Sequence, residues 1–318
     1  MSKNSEIPIP ESAHTDPGSQ QYHLPVLLQE SIEALAIEPG GVYVDCTLGG
    51  GGHSKAILEK LGKTGKLIVF DQDESAKKNV PDDERIVFIP QNFRHLQRFL
   101  KLHKFNNVDG ILADLGVSSH QFDKAERGFS TRFDAGLDMR MDQRQEKTAA
   151  DIVNEYPELK LHKIFEKFGE VTNSKTLAKV IVLKREIDPI KTISQLKHAL
   201  HPIVKGNPNK YFAQVFQALR IEVNDELGAL QEMLLQTIPV LKKGGRIAVI
   251  TFHSLEDRLV KNFFKIGSFE DVEVDEIYGG RVESPFTIIT KKPILASENE
   301  LKLNPRSRSA KLRVAEKN

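Results

Sequence analysis

Short apolar runs alternate with segments of helical period over the first third of the chain. Runs rich in β-branched and aromatic residues cover 42–44, 66–70, 85–89 and 108–113, and polar loops with amphipathic stretches separate them. Continuous apolar strands that alternate with helices are typical of a parallel sheet covered on both faces. The pattern therefore predicts an α/β protein with a doubly wound, parallel sheet.

This alternation stops before the middle of the chain. From about Thr148 to Val240 the period is helical throughout, and the next strand pattern lies at 245–251. So long a helical segment between two strands of one sheet indicates an inserted domain. We predict a sheet domain of 22–140 and 241–318, an inserted all-helical domain of 141–240, and a disordered polar tail of 1–21.

The second half of the chain allows more local predictions. The stretch 211–235 has one apolar stripe and is predicted as a single helix. The helix after the fifth strand is predicted to begin at an N-cap on Ser254, with Asp257 at its third position. Segments 271–277 and 286–289 are predicted as closing antiparallel strands, and the basic residues 304–313 as a disordered arm or an RNA clamp.

The first predicted strand ends in Asp45 and runs into a glycine loop, 49–52, followed by a helix. Such a loop offers bare backbone N–H groups and a positive helix end to a small polar ligand. Neither the dinucleotide fingerprint G-x-G-x-x-G nor the triphosphate loop G-x-x-x-x-G-K-[ST] fits the glycine spacing. A second acid, Asp71, ends the next strand, where its carboxylate would accept hydrogen bonds from the hydroxyls of a ribose. Two acids without a phosphate cradle favour S-adenosylmethionine (AdoMet) over NAD; a purely structural glycine turn is the alternative.

Composition changes this picture only slightly. The net charge is +1 and 39% of the residues are hydrophobic, which is ordinary for a globular protein. No apolar run approaches the roughly 18 residues of a membrane span, and the single cysteine, Cys46, suits a reducing compartment, so we expect a cytoplasmic protein without a membrane partner. Local charge is more informative, because eleven lysines and arginines stand against four acids over 159–215. That excess is either a solvated helix face or a surface for a polyanion.

Seven motifs, in order along the chain, carry a resemblance to a known family. They occupy 45–54, 109–119, 126–130, 137–142, 216–224, 252–258 and 304–308. Together they resemble the bacterial small-subunit ribosomal RNA cytosine-N4 methyltransferases (the RsmH or MraW family), and the similarity covers about 22–316.

The resemblance implies an AdoMet-dependent enzyme with the class I, Rossmann-like methyltransferase fold and an inserted helical substrate domain. The implied partner is 16S rRNA in the small ribosomal subunit. The chain departs from the family at His120, where proline is usual, and at Gln214, where arginine is common. The implied AdoMet contacts are Gly51, Gly52, His53, Asp71, Phe93, Asp114 and Gln121.

Methylation of cytosine N4 is chiefly a task of positioning and electrostatics, because the lone pair of the amine is delocalised into the ring. We hypothesise that Asp114, Ser118 and Ser119 line the pocket near the methyl group, with Asp114 accepting a hydrogen bond from the ligand or the target amine. Further candidates for substrate contact are Arg140, Arg220, Asn224, His253 and Arg258.

Three other functions stay open at this point. Methylation at carbon 5 of cytosine would need a cysteine nucleophile, and Cys46 is predicted to be a small packing residue instead. A DNA or other RNA amino-methyltransferase would have the same predicted sheet. A non-catalytic RNA- or ribosome-binding module would have the same excess of lysines and arginines over 159–215. No metal-ligand motif is evident, so we expect no metal.

Overall fold

A seven-stranded sheet forms the centre of the protein. The computed structural model describes residues 25–270 and 283–318, and its strands are β1 (Val42–Asp45), β2 (Lys66–Phe70), β3 (Ile86–Ile89), β4 (Val108–Asp114), β5 (Leu241–Thr251), β6 (Phe286–Ile288) and β7 (Lys311–Lys317). Their order in the sheet is β3-β2-β1-β4-β5-β7-β6. The first five are parallel, whereas β7 is antiparallel to β5 and to β6. This arrangement confirms the predicted α/β class with a Rossmann-like sheet.

Helices cover both faces of this sheet, and others form a separate unit. The helices of the described residues are α1 (Leu28–Leu35), α2 (Gly52–Lys60), α3 (Leu96–Leu102), α4 (Ser119–Asp123), α5 (Ala149–Glu155), α6 (Glu158–Lys167), α7 (Ser174–Arg185), α8 (Ile193–Leu200), α9 (Pro208–Asn224), α10 (Glu226–Val240), α11 (Ser254–Ile266) and α12 (Glu298–Leu303). On β2, Leu67 and Val69 face the core formed with α1 and α2, while Ile68 and Phe70 face the core formed with α3, α10 and α11. Alternate residues of one strand thus enter opposite layers, which explains the continuous apolar runs.

The helices between β4 and β5 build a core of their own. Side chains of α5 to α9 pack around Phe165, Leu177 and Leu219, and residues from 129 to 141 join them. The next helix, α10, packs into the sheet core instead, through Met233 and Leu234. The division at 141–240 stays a prediction, and this packing leads us to propose boundaries near 129 and 224 for the helical unit.

The single helix predicted over 211–235 is wrong. Asp225 has a φ of 47°, in the left-handed region, and separates α9 from α10. Because a left-handed residue cannot continue an α-helix, the chain changes direction there. Because the apolar stripe continues on both sides of Asp225, hydrophobic periodicity does not reveal the break.

The disordered arm predicted over 304–313 is also wrong. Its second half begins β7, which lies inside the sheet between β5 and β6, and Leu312 and Val314 are fully buried. Its first half is a 3₁₀ turn, Pro305–Ser309. Of the two closing strands, 286–289 is confirmed by β6, and 271–277 lies outside the described residues. None of the helices in the described ranges is long and apolar enough to cross a membrane.

Candidate active site

A cavity opens at the carboxyl edge of the parallel strands. It encloses about 200 Å³ and is lined by the loops that follow β1, β2, β4 and β5, by the start of α10, and by the turn before β7. Because all parallel strands end at this edge, residues far apart in the sequence meet here.

The glycine loop between β1 and α2 forms one wall. Gly51 has a φ of 79°, and a Cβ on it would lie 2.6 Å from the backbone oxygen of Asn79. A Cβ on Gly52 would lie 2.1 Å from Pro25 Cγ. Side chains are therefore excluded at both places, and the main chain at the start of α2 stays close to the cavity. Gly50 and Gly52 line the cavity, whereas Gly51 is behind them.

His53 stands in the first turn of α2 and is buried. Its Nε2 donates to the backbone oxygen of Val26 at 3.1 Å, since a carbonyl can only accept. Burial lowers the pKa of His53, although the neighbouring Asp45 acts in the opposite direction. The other ring nitrogen, Nδ1, is 3.8 Å from Asp114 Oδ2, which is too long for a hydrogen bond. His53 thus ties the start of α2 to the segment before α1 and lies beside the end of β4.

Asp71 follows β2 and is tied to the same loop. Its Oδ2 accepts from the backbone N–H of Gly49 at 2.9 Å, and its Oδ1 from that of Asp73 at 2.8 Å. Burial nevertheless raises the pKa of Asp71 to about 6, because the two hydrogen bonds only partly offset desolvation. The carboxyl group lines the cavity at the level of the glycine loop, as the spacing predicts.

Asp114 ends β4 and has the most unusual environment of the cavity acids. Its Oδ1 is buried and has no hydrogen-bond partner among the described residues. Burial, followed by the charges of Asp45 and Glu256, raises the pKa of Asp114 well above its usual value. Burial and the neighbouring negative charges thus both disfavour the carboxylate form of Asp114, a residue that lines the cavity.

The loop after β4 supplies three more of the predicted residues to the lining. Ser118 caps α4, since its Oγ accepts from the N–H of Gln121 at 3.2 Å. Gln121 Nε2 donates in turn to Asp73 Oδ2 at 2.8 Å. Ser119 also lines the cavity, and Phe93 enters it from the turn before α3.

Of the five residues predicted for substrate contact, Asn224 alone is part of the lining. Its side chain accepts from Met141 N at 2.7 Å and donates to Met139 O at 2.8 Å. Arg140 lies behind this segment and pairs with Asp138 at 2.8 Å. Arg220 forms two hydrogen bonds, of 2.8 and 2.9 Å, with the cavity residue Glu226. Arg220 thus contacts the cavity only through Glu226, and Arg140 lies outside the cavity.

The predicted cap on Ser254 is wrong by one residue. His253 is the N-cap of α11, and its Nδ1 accepts from the N–H of Glu256 at 3.4 Å. Glu256 in turn accepts from the N–H of Phe252 at 2.8 Å. Arg258 points away from the cavity and pairs with Glu170 of the helical unit at 3.4 Å.

The lining residues that escaped the sequence reasoning include Glu226, Glu256, Asn304 and Arg306. Glu256 forms a capping box with His253 in the structure, but histidine is not one of the usual capping residues, so their spacing gave no signal in the sequence. Burial by itself raises the pKa of Glu256, but the nearby His253 and Arg220 hold it below the usual value. The surroundings thus shift the pKa values of Glu256 and Asp114 in opposite directions.

Three side chains at or beside the cavity are close enough to hold a metal ion. They are Glu226, His253 and Glu256, whose ligand atoms lie within 4.8 Å of one another. Both oxygens of Glu226 already accept from Arg220, so the positive charge facing this acid comes from the chain itself. The expected absence of a metal stays a prediction.

Comparisons with known proteins give one consistent answer. Ribosomal RNA small subunit methyltransferase H of Azobacteroides pseudotrichonymphae genomovar. CFP2 is 54% identical over 303 residues, which cover 95% of this chain and 99% of that protein. The protein of the same name from Parabacteroides distasonis is 54% identical over 298 residues, covering 93% and 97%. That from Christiangramia forsetii is 51% identical over 298 residues, covering 93% and 98%. The sequence profile described as MraW methylase family matches residues 20–318. The cavity at the sheet edge is thus that of a protein that belongs to the MraW methylase family.

Proposed function

We propose that this protein transfers the methyl group of AdoMet to the exocyclic N4 of a cytosine in small-subunit ribosomal RNA. The observation that carries the proposal is the cavity in which the glycine loop, Asp71 and Asp114 meet, in a chain of the MraW methylase family. The printed name of its relatives, a small-subunit ribosomal RNA methyltransferase, supports the substrate.

The chemistry of the cavity fits AdoMet. Four acids line it, Asp71, Asp114, Glu226 and Glu256, while Arg306 is the one arginine or lysine among the described lining residues. An excess of negative charge favours a cationic ligand and disfavours a dinucleotide with its two phosphates. The unpartnered Oδ1 of Asp114 adds a buried acceptor that a ligand would satisfy.

The residues that would hold AdoMet are those at the β1, β2 and β4 ends. The main chain of Gly52 and His53 would hold the methionine part, while Gly51 shapes the turn behind them, and Asp71 would accept hydrogen bonds from the ribose hydroxyls. Phe93 offers an aromatic face to the adenine, and Gln121 fixes the loop that closes over it through its bond to Asp73. AdoMet, when bound, supplies an activated methyl group on a positively charged sulfur.

Two carboxyl groups of the cavity, Asp114 and Glu256, have pKa values shifted in opposite directions. Such pairs mark acid and base roles, because their surroundings drive their pKa values apart. Glu256, whose pKa is lowered, would polarise an N–H of the amine, which increases the electron density on nitrogen. Asp114 Oδ1 accepts the second N–H and, with Ser118 and Ser119, orients the amine.

The thiol of Cys46 disfavours carbon-5 methylation. It lines the cavity, but burial and then the charge of Asp45 raise its pKa well above the usual value. A cysteine nucleophile needs a lowered pKa, because only the thiolate attacks. The cavity therefore supports the amine as the methylated atom.

The test uses small ribosomal subunits from cells that lack the gene. After incubation with the protein and AdoMet, mass spectrometry of the digested RNA is expected to reveal N4-methylcytidine. Asp114→Asn should lower the turnover by about 100-fold, whereas Cys46→Ser should keep it near the wild-type value. Appearance of 5-methylcytidine would contradict the proposal. Binding to the particle with no AdoMet-dependent thermal shift would instead identify a non-catalytic module.

A further inference from the structure

Arg306 gives the cavity its positive charge. The residue belongs to the turn Pro305–Ser309, just before β7, and its side chain is 36% exposed. Because the other charged lining residues in the described part of the chain are acids or the buried His53, Arg306 is where an anion would be attracted.

An aromatic ring and an exposed acid hold this arginine in place. Its guanidinium carbon lies 5.2 Å from the centre of the Phe122 ring, and its Nη2 donates to Asp123. Its Nη1 has no hydrogen-bond partner among the described residues. The side chain is therefore oriented while part of its donor capacity is unused, which suits recognition of a phosphate.

The positive charge continues beyond the cavity. The guanidinium carbon of Arg132 lies 5.9 Å from the centre of the same Phe122 ring. The next side chain, Phe133, is a large aromatic that is 48% exposed. Further on, Lys197 of α8 donates to the backbone oxygen of Thr131 at 3.4 Å, so the helical unit adds its own cation to this line.

We propose that Arg306, Arg132 and Lys197, with Phe133 among them, form a track that binds the single-stranded RNA next to the target nucleotide. The inference rests on the function proposed above and adds the surface that recognises the substrate. Neighbouring cations with an exposed aromatic ring suit a single strand, since the cations bind phosphates and the ring stacks on a base. An acidic peptide would use the cations but not the exposed ring.

The position of Arg306 separates this track from the cofactor. Its turn joins the cavity beside the β5 end, because β7 pairs with β5 and begins directly after the turn. The glycine loop, Asp71 and Phe93 belong instead to the β1 and β2 side. Arg306 is therefore assigned to the substrate and not to the carboxylate of AdoMet.

The experiment compares Arg306→Gln, Arg132→Gln and Phe133→Ala with the control Lys60→Gln. Lys60 is an exposed cation at the C-terminal end of α2, which starts at the cavity and runs toward the opposite edge of the sheet. Two quantities are measured with small subunits from cells lacking the gene: binding in the presence of S-adenosylhomocysteine over a range of salt, and the KM and kcat of methylation. Calorimetry gives the Kd of AdoMet for each variant.

Each arginine variant is expected to raise the Kd and KM for subunits about tenfold and to reduce the slope of log K against log salt by about 1. Phe133→Ala should weaken binding about fivefold or more with an unchanged salt slope, because stacking involves no counterion. The Kd of AdoMet should stay within twofold of the wild-type value in all variants, and Lys60→Gln should match the wild type throughout.

Three outcomes would overturn the track. Unchanged binding and salt slopes in the arginine variants would exclude phosphate contacts. A weaker AdoMet complex in Arg306→Gln would assign this residue to the cofactor. Normal RNA binding in Phe133→Ala would exclude stacking on that ring. If the wild-type protein binds subunits along this track but methylates no cytosine, the proposed reaction fails and the track stands.

Discussion

At Asp71, burial and hydrogen bonding act on one carboxyl group in opposite directions. Desolvation dominates and raises the pKa to about 6, although two backbone N–H groups donate to the carboxylate. The group therefore titrates close to neutral pH, at the place where a ribose would be bound.

We expect the affinity for AdoMet to fall as the pH drops below about 6. The carboxylate is the form that accepts from ribose hydroxyls, so a proton must leave Asp71 on binding once the pH is below its pKa. Affinity then decreases by up to tenfold per pH unit. Calorimetric titration from pH 5 to 8 measures this, with Asp71→Asn as the reference. An equal pH dependence in that variant would show that Asp71 is not the titrating group.

Spacing along the sequence predicted Asp71, because a strand end fixes the position of the next side chain. The family resemblance implied Asp114, which ends β4, and both residues line the cavity. Glu256 and Arg306 could not be found this way. Glu256 reaches the cavity from the first turn of a helix, and Arg306 depends on where β7 enters the sheet. Both positions are set by tertiary packing and not by local pattern.

The loop between β1 and α2 shows how backbone geometry selects glycine within one element. Gly51 combines a left-handed φ with a neighbouring backbone oxygen, whereas a Cβ on Gly50 would meet nothing within 4 Å. The two adjacent glycines therefore serve different purposes, one for the fold of the turn and the other for access to the cavity.

Gly51→Ala is expected to lower the free energy of unfolding by about 2 kcal/mol or more, because it adds a left-handed strain and a clash. Gly50→Ala should change this free energy by less than about 0.5 kcal/mol. Urea denaturation of the two variants measures the difference. Equal stabilities would mean that the turn has a different backbone from the one described.

Strand β7 is the element that the sequence pattern hid. Its apolar residues Leu312 and Val314 alternate with Arg313, and Arg313 is buried against Asp257 of α11, 2.5 Å away. Because Asp257 neutralises Arg313 inside the protein, a buried strand can contain this basic residue. From the sequence alone the segment therefore resembles a polar tail. The parallel strands were predictable because both of their faces are apolar.

Leu312→Ala should destabilise the protein by about 2 to 5 kcal/mol, since it leaves a cavity between two layers. Leu303→Ala is the matched control, because Leu303 is 77% exposed and should cost less than about 0.5 kcal/mol. Thermal unfolding followed by calorimetry compares them. A similar melting temperature for both would argue against the buried strand.

At the scale of the whole molecule, the helical unit supplies one wall of the cavity. Asn224, the last residue of α9, is buried and bonds the backbone of Met139 and Met141 in the same unit. Because Met141 and Asn224 both line the cavity, a contact that holds the helical unit together also shapes the site.

Asn224→Ala is expected to lower the free energy of unfolding by about 3 kcal/mol, since it leaves a buried N–H and a buried carbonyl unpaired. It should also make residues around 139–145 more sensitive to limited proteolysis. The exposed Asn209, in the first turn of the same helix, provides the control Asn209→Ala. An unchanged digestion pattern in Asn224→Ala would mean that other contacts hold the segment 139–145 in place.

The position of β7 has a consequence for how the protein is synthesised. Thr251 of β5 pairs with Lys311, sixty positions later, so a nascent chain that has completed β5 has no partner for that edge. Unpaired edges bind other strands. The ribosome must therefore synthesise β7 before the open edge of β5 meets another copy of the growing chain. Slow translation of those sixty residues should increase aggregation and lower the yield of folded protein.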